Sequence, residues 1–481
     1  MLTVNYPSYP FHSSKLYDYF NKMNVYELNR FCKFIQSPYF NLDERLMQLT
    51  QTLLPCFKSS TQYKADEKTI WKRISKSKFN RIKFNRLFSD LVKKAEQFLV
   101  IEKLQQKPAA YDSHLLQLMN ERKLDKHFPE ALTVAIKKHQ LHEMRDSHFY
   151  FGQFQLEAQH NLFLENKNLR TSDKNIHEAI NALDAFYLIN KLQYCAALLH
   201  YKNFLTIETD VLLLSEILSL LKQKSFTHIP AVDIYHHILL TMLEPEKEKH
   251  FEKLKSLLVL HQSLFKHDEL KNMFLFAMNY CIRNINLGKT EYLRELFLLY
   301  KQSLENDLML EDGYISPWDY KNIITVGLRL KEFKWTERFI NGYKNQIEKK
   351  YRSNAYTFNL AKYYFALNQY DKVLPLLQDV KYEDIFYQLD SKTTLMKIFY
   401  EQSEYSALSS LKESFLTLVR RKKVISEQNR VNYKNFIRWV IKLSRAEVRD
   451  KKEMKRLRSE IESATNVADK GWIKEKVDEL I

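Results

Sequence analysis

Side chains able to do chemistry occur in this chain, but not at the spacings that known sites use. His139 and His142 lie one helical turn apart, as metal ligands do in some sites, without a cysteine or a second histidine pair nearby. His236 and His237 are adjacent and so point to different faces of a helix. Residues 75–78, SKSK, contain S-x-x-K without its usual companions. We interpret these histidines as structural and predict no metal site, no cofactor and no catalytic residue.

The remaining sequence signals also argue against an enzyme. Cysteines 32, 56, 195 and 281 show no C-x-x-C spacing, which predicts buried free thiols. Only 6 glycines occur, and no two are close enough to build a phosphate-binding loop or a dinucleotide fingerprint. Catalytic residues can still be brought together from distant positions, so this pattern favours a non-catalytic protein over an enzyme without deciding the matter.

Composition predicts a folded protein of the cytoplasm. Hydrophobic residues make up 45% of the chain and aromatic residues 14%, which is enough for a substantial core. The N-terminus lacks a basic region followed by an apolar run, as a secretory signal would have. The most apolar later windows, 211–221 and 273–282, are too short or too interrupted to span a bilayer. We therefore expect a cytoplasmic protein without a membrane span.

Positive charge is concentrated in two segments. The formal net charge is +17; residues 68–94 carry ten basic residues against one acidic residue, and residues 412–458 carry sixteen against five. The candidate phosphate-binding residues are Lys72, Arg73, Lys78 and Arg81 in the first segment, and Arg430, Lys434, Arg438 and Lys442, spaced every four residues, in the second. These segments could bind nucleic acid or an anionic membrane, or they could be solvated faces of a lysine-rich protein.

Aromatic residues accompany the first basic segment. Trp71, Phe79, Phe84 and Phe88 could stack on unpaired bases. Phe84 and Phe88 also keep helical spacing, which favours packing in the core. Phe79, in a polar run, has the best claim to exposure.

Helical periodicity runs through almost the whole chain. Residues 28, 31, 32 and 35 form one apolar face, and Asn24 with Glu27 has the spacing of a capping box that begins this helix. Pro38 predicts that the helix ends by about residue 36. In the following SPYFN stretch, Asn41 and Glu44 predict a second capping box, and Tyr39 and Phe40 are expected to fill the groove between neighbouring helices.

A period near 35 residues marks the last third of the chain. Trp335, Tyr370 and Tyr405 are 35 residues apart, and each lies just before an apolar helical segment. Gly327, Ala361 and Met396 precede them at a nearly constant interval. We expect the two helices of a pair to cross closely at these three residues. The stretch NLAKYYFALNQYDKVLPLL resembles the tetratricopeptide repeat, with matches at Leu360, Ala361, Tyr364, Val373 and Leu377. The resemblance implies an all-α fold, an α-solenoid or superhelix of stacked helical hairpins.

Both ends of the chain also resemble an uncharacterised family of bacterial tetratricopeptide-like proteins. The segments that carry this resemblance are RFCKFIQSPYFN, NRLFSDLVKKAEQFLV and ADKGWIKEKVDEL. It implies no activity, substrate or partner.

These observations predict three regions and one leading function. Residues 1–107 form a helical region with a basic segment, 108–425 an array of helical hairpins, and 426–481 basic capping helices. The leading hypothesis is a non-catalytic cytosolic scaffold or adaptor that binds another protein, with Tyr356, Asn359 and Tyr363 as candidate contacts. The alternative is a nucleic-acid-binding protein that uses segments 68–94 and 412–458.

Overall fold

The computed structural model describes residues 14–58, 67–106, 108–167, 174–202, 211–223, 226, 228–379, 385–422, 424–446 and 451–480. Within these ranges the chain is all-α, with 23 α-helices. The first nine are α1 (Lys15–Lys22), α2 (Val25–Gln36), α3 (Glu44–Lys58), α4 (Glu67–Ile74), α5 (Arg81–Gln105), α6 (Pro108–Glu121), α7 (Phe128–Gln140), α8 (Ser147–Asn166) and α9 (Lys174–Lys202).

The other fourteen are α10 (Leu214–Gln223), α11 (Pro230–Leu243), α12 (Lys249–His261), α13 (His267–Asn286), α14 (Tyr292–Glu305), α15 (Pro317–Arg329), α16 (Phe333–Tyr343), α17 (Lys349–Ala366), α18 (Tyr370–Asp379), α19 (Ile385–Glu401), α20 (Tyr405–Arg421), α21 (Glu427–Leu443), α22 (Lys451–Ser463) and α23 (Lys470–Glu479). Two 3₁₀ turns occupy Gln262–Leu264 and Lys344–Gln346. No helix among the described residues combines the length and the apolar character needed to cross a bilayer.

The chain divides into two compact units, Met1–Lys191 and Leu192–Ile481. This division falls inside α9 and coincides with neither of the predicted boundaries at 107/108 and 425/426. The three-region division stays a prediction.

An aromatic cluster holds three of the first five helices together. Phe31 is fully buried, and its ring centroid lies 5.4 Å from those of both Phe20 and Phe98. Phe34 lies 5.6 Å from Phe98. These rings join α1, α2 and α5, and edge-to-face pairs of this kind add to the stability gained from buried area.

The SPYFN corner between α2 and α3 differs from its prediction in two residues. Asn24 forms the expected capping box with Glu27, and α2 ends at Gln36 as predicted. Asn41 does not cap α3; its buried amide donates to the carbonyl oxygens of Ile35 and Asp43, at 3.0 and 3.1 Å. The turn is therefore two residues longer than a cap at Asn41 would allow, and α3 begins at Glu44.

The two aromatic residues of this corner have different environments. Phe40 stacks on Phe34 with the ring centroids 4.3 Å apart. Tyr39 was expected to share this packing, but its side chain is 88% exposed. Phe40 alone therefore closes the corner.

Most helices of the second unit pack as consecutive pairs. The first helix of each pair contacts its own second helix in α11/α12, α13/α14, α15/α16, α17/α18 and α19/α20. Each second helix also contacts the first helix of the next pair. First helices contact each other from α15 to α17, α17 to α19 and α19 to α21. A small antiparallel ladder, Leu310–Glu311 with Tyr314–Ile315, is joined by an exposed turn of Asp312 and Gly313, both with positive φ.

Three successive pairs share one turn geometry between their helices. Lys331, Asn368 and Ser403 each adopt φ 58°, in the left-handed region. In each turn the next residue's N–H bonds back to a carbonyl five residues earlier: Glu332 to Gly327 at 2.9 Å, Gln369 to Tyr364 at 3.0 Å, and Glu404 to Phe399 at 2.8 Å. This is the Schellman arrangement, which satisfies carbonyl groups at the helix end.

Gly327 lies where α15 and α16 cross closely, as its spacing predicted. A Cβ atom at this position would come within 2.4 Å of Thr336 Oγ1. Ala361 and Met396, the corresponding residues of α17 and α19, are fully buried.

The turn geometry predicts opposite effects for the same substitution at two exposed lysines. Lys331→Gly should raise the free energy of unfolding by about 0.5–1 kcal/mol, because glycine removes the penalty of a left-handed residue. Lys334→Gly, inside α16, should lower it by about 1 kcal/mol. Chemical denaturation of both variants measures the difference. Equal losses would contradict a left-handed Lys331.

Candidate functional site

The three predicted protein-binding residues lie on the face of α17 that is turned toward α16. The Tyr356 hydroxyl donates to Asn341 Oδ1 at 3.1 Å. Asn359 is 0% exposed and its amide donates to the Ala355 carbonyl at 2.8 Å. Tyr363 is 6% exposed, and burial, with Glu337 nearby, raises the pKa of its hydroxyl. In this structure Tyr356 alone, half-buried, is open to a partner; contact with a partner stays a prediction.

An adjacent face of the first helices carries a row of charged groups that the sequence did not single out. The lysine row consists of Lys321 on α15, Lys362 on α17 and Lys397 on α19. Lys321 forms an ion pair with Asp390 on α19, and Lys397 forms one with Asp469, the residue before α23. Both ion pairs reach past the intervening first helix, so the row joins α15, α17, α19 and the start of α23.

Lys362, in the middle of the row, has no carboxylate of its own. Its Nζ donates to Thr325 Oγ1 of α15 at 2.9 Å. Among the described residues no carboxylate lies within ion-pair distance of it. The row thus contains three lysines and two aspartates, and it retains one uncompensated positive charge.

Aromatic rings surround the lysines. The Nζ atoms of Lys321 and Lys362 lie 5.4 Å from the ring centroid of Trp318 and 5.9 Å from that of Phe358. Lys397 Nζ lies 5.3 Å from the Trp472 ring. At these distances the ring faces attract the cations and partly replace the water that burial removes.

The pKa of Lys362 reflects this environment. Burial is the main cause that lowers it to about 8; Asp390 and Asp469 oppose the shift, and Lys321 and Lys397 add to it. Lys362 therefore remains mostly protonated at neutral pH, although the protein disfavours its charge. An anionic group from a partner would supply the missing counter-charge.

Asp469 supplies a counter-charge to the lysine row and does not cap α23. It precedes α23 with φ 50°, and its side chain makes no capping hydrogen bond to that helix. Burial alone would raise the pKa of its carboxyl, but Lys397 and Lys362 outweigh burial and lower it. Asp469 is therefore ionised at neutral pH and serves as a counter-charge in the row.

The first basic segment is exposed and largely uncompensated. The candidate side chains of Lys72, Arg73, Lys78 and Arg81 are all exposed, and Arg81 lies 3.8 Å from Glu67. Within the described ranges, Lys72 and Lys78 have no acidic partner. Trp71 Nε1 donates to the Ser77 carbonyl at 2.9 Å and so fixes the loop that carries Lys78.

The aromatic residues near this segment belong mainly to the core. Trp71 is buried; of the two residues with helical spacing, Phe84 is buried and Phe88 is half-buried, with their ring centroids 4.6 Å apart. Phe79 was the residue expected to be exposed, but it is half-buried, with its ring centroid 5.8 Å from that of Phe84. Its place in the core leaves base stacking without its best candidate.

The second basic segment is divided by its contacts. Arg430 donates to the carbonyl oxygens of Arg420, Lys422 and Ile425 and so closes the end of α20. Lys442 pairs with Glu460, which also holds Arg456 at 2.9 Å. Lys434 and Arg438 are exposed. Residues 423 and 447–450 lie outside the described residues. The predicted four-residue stripe thus leaves two side chains open to a phosphate.

Most of the predicted structural thiols and histidines in the described ranges are packed, whereas His142 is exposed. Cys195 and Cys281 are buried and Cys32 is half-buried, while the side chain of Cys56 lies outside the described residues. The His139 ring stacks on Phe149 with the centroids 4.3 Å apart.

Comparison of the chain with protein-family models, with curated proteins and with solved structures gave no match in any of the three. The tetratricopeptide resemblance therefore rests on the residues of this chain.

Replacing Lys362 by methionine should stabilise the fold at pH 7 by about 1–3 kcal/mol, because a half-buried and unbalanced charge is removed. The pKa of Lys362 is about 8 in the folded chain. The ordinary value is about 10.4, so the wild-type chain should gain stability from pH 8 upward and the difference between the two proteins should shrink. Chemical denaturation of both proteins at pH 7 and pH 9.5 measures this difference in stability.

Lys434→Met, at an exposed lysine of α21, serves as the matched control and should change stability by less than about 0.5 kcal/mol. A less stable Lys362→Met variant would mean that Lys362 stabilises the fold through Thr325 and carries no unbalanced charge.

Proposed function

We propose that this protein is a non-catalytic scaffold or adaptor of the cytoplasm that binds another protein through the lysine row. In this proposal the second unit is a tetratricopeptide-like solenoid, and its stacked first helices form the binding surface. The repeated left-handed turns and the contacts between consecutive first helices support the repeat. The observation that carries the function is Lys362, a cation without a carboxylate partner between two lysines that have one.

The chemistry of the row defines the partner. One uncompensated positive charge, flanked by aromatic rings, fits an acidic side chain or a terminal carboxylate with an apolar neighbour. Such a group would accept hydrogen bonds from Lys362 and offset the charge that burial disfavours. A stable variant without this lysine would then lose binding, as happens when a site keeps an unfavourable group for its function.

Binding should depend on Lys362 and on its protonation. With the immobilised chain as bait in an extract of the source organism, Lys362→Met should recover the main partner about tenfold less than wild type, since one charge-assisted hydrogen bond is worth about 1.5 kcal/mol or more. Recovery by the wild-type chain should fall between pH 7 and pH 9, as a lysine with a pKa of about 8 loses its proton. Lys434→Met should recover the partner as wild type does. Equal recovery by all three proteins would exclude the lysine row as the binding site.

The second candidate function is nucleic-acid binding by residues 68–94. The observation in its favour is the exposed and largely uncompensated charge on α4, α5 and the loop between them. The segment 412–458 contributes less in this version of the hypothesis, because Arg430 and Lys442 are already engaged within the chain.

If the first segment binds RNA or DNA, affinity should fall steeply as salt rises. The triple variant K72Q/K78Q/K83Q should bind more weakly and reduce the slope of log affinity against log salt by about 3, roughly one for each lost phosphate contact. The control K434Q/R438Q should retain most of the affinity. Fluorescence anisotropy with a labelled single strand at several salt concentrations measures both, and an affinity that does not change with salt would exclude the electrostatic mechanism.

A further inference from the structure

Three polar side chains converge on α11, in a part of the second unit that the proposed function does not use. Asp233, His236 and His237 each offer a ligand atom, and these three atoms lie within 4.8 Å of one another. Asp233 precedes the two histidines by three and four residues, and side chains at both spacings are neighbours on a helix. The aspartate therefore brings together two adjacent histidines that the sequence alone assigned to different faces.

Each of these side chains has a buried polar atom without a hydrogen-bond partner: Asp233 Oδ2, His236 Nε2 and His237 Nδ1. His236 is 9% exposed. Buried polar atoms are nearly always satisfied in native proteins, so three unsatisfied atoms on neighbouring side chains require an explanation. An ion shared by the three residues would satisfy these groups together.

Glu244 holds two lysines of this region, Lys222 and Lys247, while Lys253, which also acts on His237, is exposed to solvent. Glu244 lies 3.3 Å from Lys222 Nζ and 2.9 Å from Lys247 Nζ. The same carboxylate accepts from His250 Nε2 at 3.0 Å, and the His250 ring centroid lies 5.9 Å from that of His237. Glu244 thus takes up the charge of Lys222 and Lys247. Within the described ranges the Asp233 carboxylate has no lysine or arginine partner, and its Oδ1 lies 3.6 Å from His237 Nε2.

We propose that Asp233, His236 and His237 form a binding site for a divalent transition-metal ion. Two imidazoles and one carboxylate are a donor set that suits zinc and its neighbours in the first row. Zinc binds such ligands at about 2.0–2.2 Å, so ligand atoms on one ion lie no more than about 4.4 Å apart. Small rotations of the side chains close the remaining difference, without movement of the helix.

The histidines are suited to metal binding in their protonation state as well. Burial lowers the pKa of both His236 and His237 to about 4, so both rings are neutral at pH 7. Neutral imidazole is the form that coordinates metals.

Zinc titration of the full chain, after removal of bound metal with a chelator, tests the site. The wild-type chain should bind one equivalent of Zn²⁺ in calorimetry, and its melting temperature should rise with zinc concentration, because an ion that binds the folded state stabilises it. D233N and H236Q should each weaken binding by about tenfold or more. The control H228Q, at an exposed histidine of the same unit, should bind as wild type does. No binding by the wild-type chain, or equal binding by all four proteins, would overturn the proposal.

A second measurement on the wild-type chain needs no variant and so remains decisive if a substitution impairs folding. X-ray absorption of the zinc-loaded chain should show two imidazole rings and oxygen donors around the metal. Cobalt in the same site should give visible absorption bands of a low-coordinate ion. Sulfur donors in the absorption spectrum would place the zinc on cysteines and overturn the assignment to α11.

Discussion

The left-handed residue that closes each of three successive helical pairs is the constraint on which the second unit depends. Because Lys331, Asn368 and Ser403 adopt the same φ, the helices on either side of each turn leave it in a similar way. The N–H that follows bonds back into the first helix and fixes where that helix ends. Once the pairs have one geometry, their first helices can lie against one another. The lysine row is a consequence of this stacking.

The basic residues of this chain lie in three different environments. On α4 and α5 it is exposed, with few acidic neighbours. On α21 it is used within the protein, since Arg430 caps the end of α20 and Lys442 pairs with Glu460. In the lysine row it is buried or half-buried and almost balanced, which leaves a single cation in excess. Charge that is counted along a sequence therefore says little about the charge that a surface presents, because the decisive partners come from other helices.

Several buried polar groups of the second unit are satisfied within their own helix, whereas Ser303, Asn359 and Ser391 each keep a buried atom without a partner. Asn284 and Thr393, for example, each donate to a carbonyl one turn earlier in their own helix, at 3.0 and 2.8 Å. Lys362 and the cluster at Asp233 combine several such groups: among the described residues Lys362 has no counter-charge within ion-pair distance, and three neighbouring side chains at Asp233 each keep one unsatisfied atom. Groups of this kind lower stability, so their presence favours a role beyond folding.

The sequence by itself determined what depends on residues three to five positions apart. This includes the all-α class, the capping box at Asn24, the end of α2 and the close helix crossing at Gly327. The capping-box spacing at Asn41 gave a wrong prediction, because the Asn41 amide donates to carbonyl oxygens of the corner and does not cap α3. A weak signal for the lysine row was present, because lysine follows the crossing residue in two successive pairs, at Lys362 and Lys397. Only the tertiary structure could join Lys321 to Asp390 and Lys397 to Asp469, since these partners are 69 and 72 residues apart and meet through the stacking of helices.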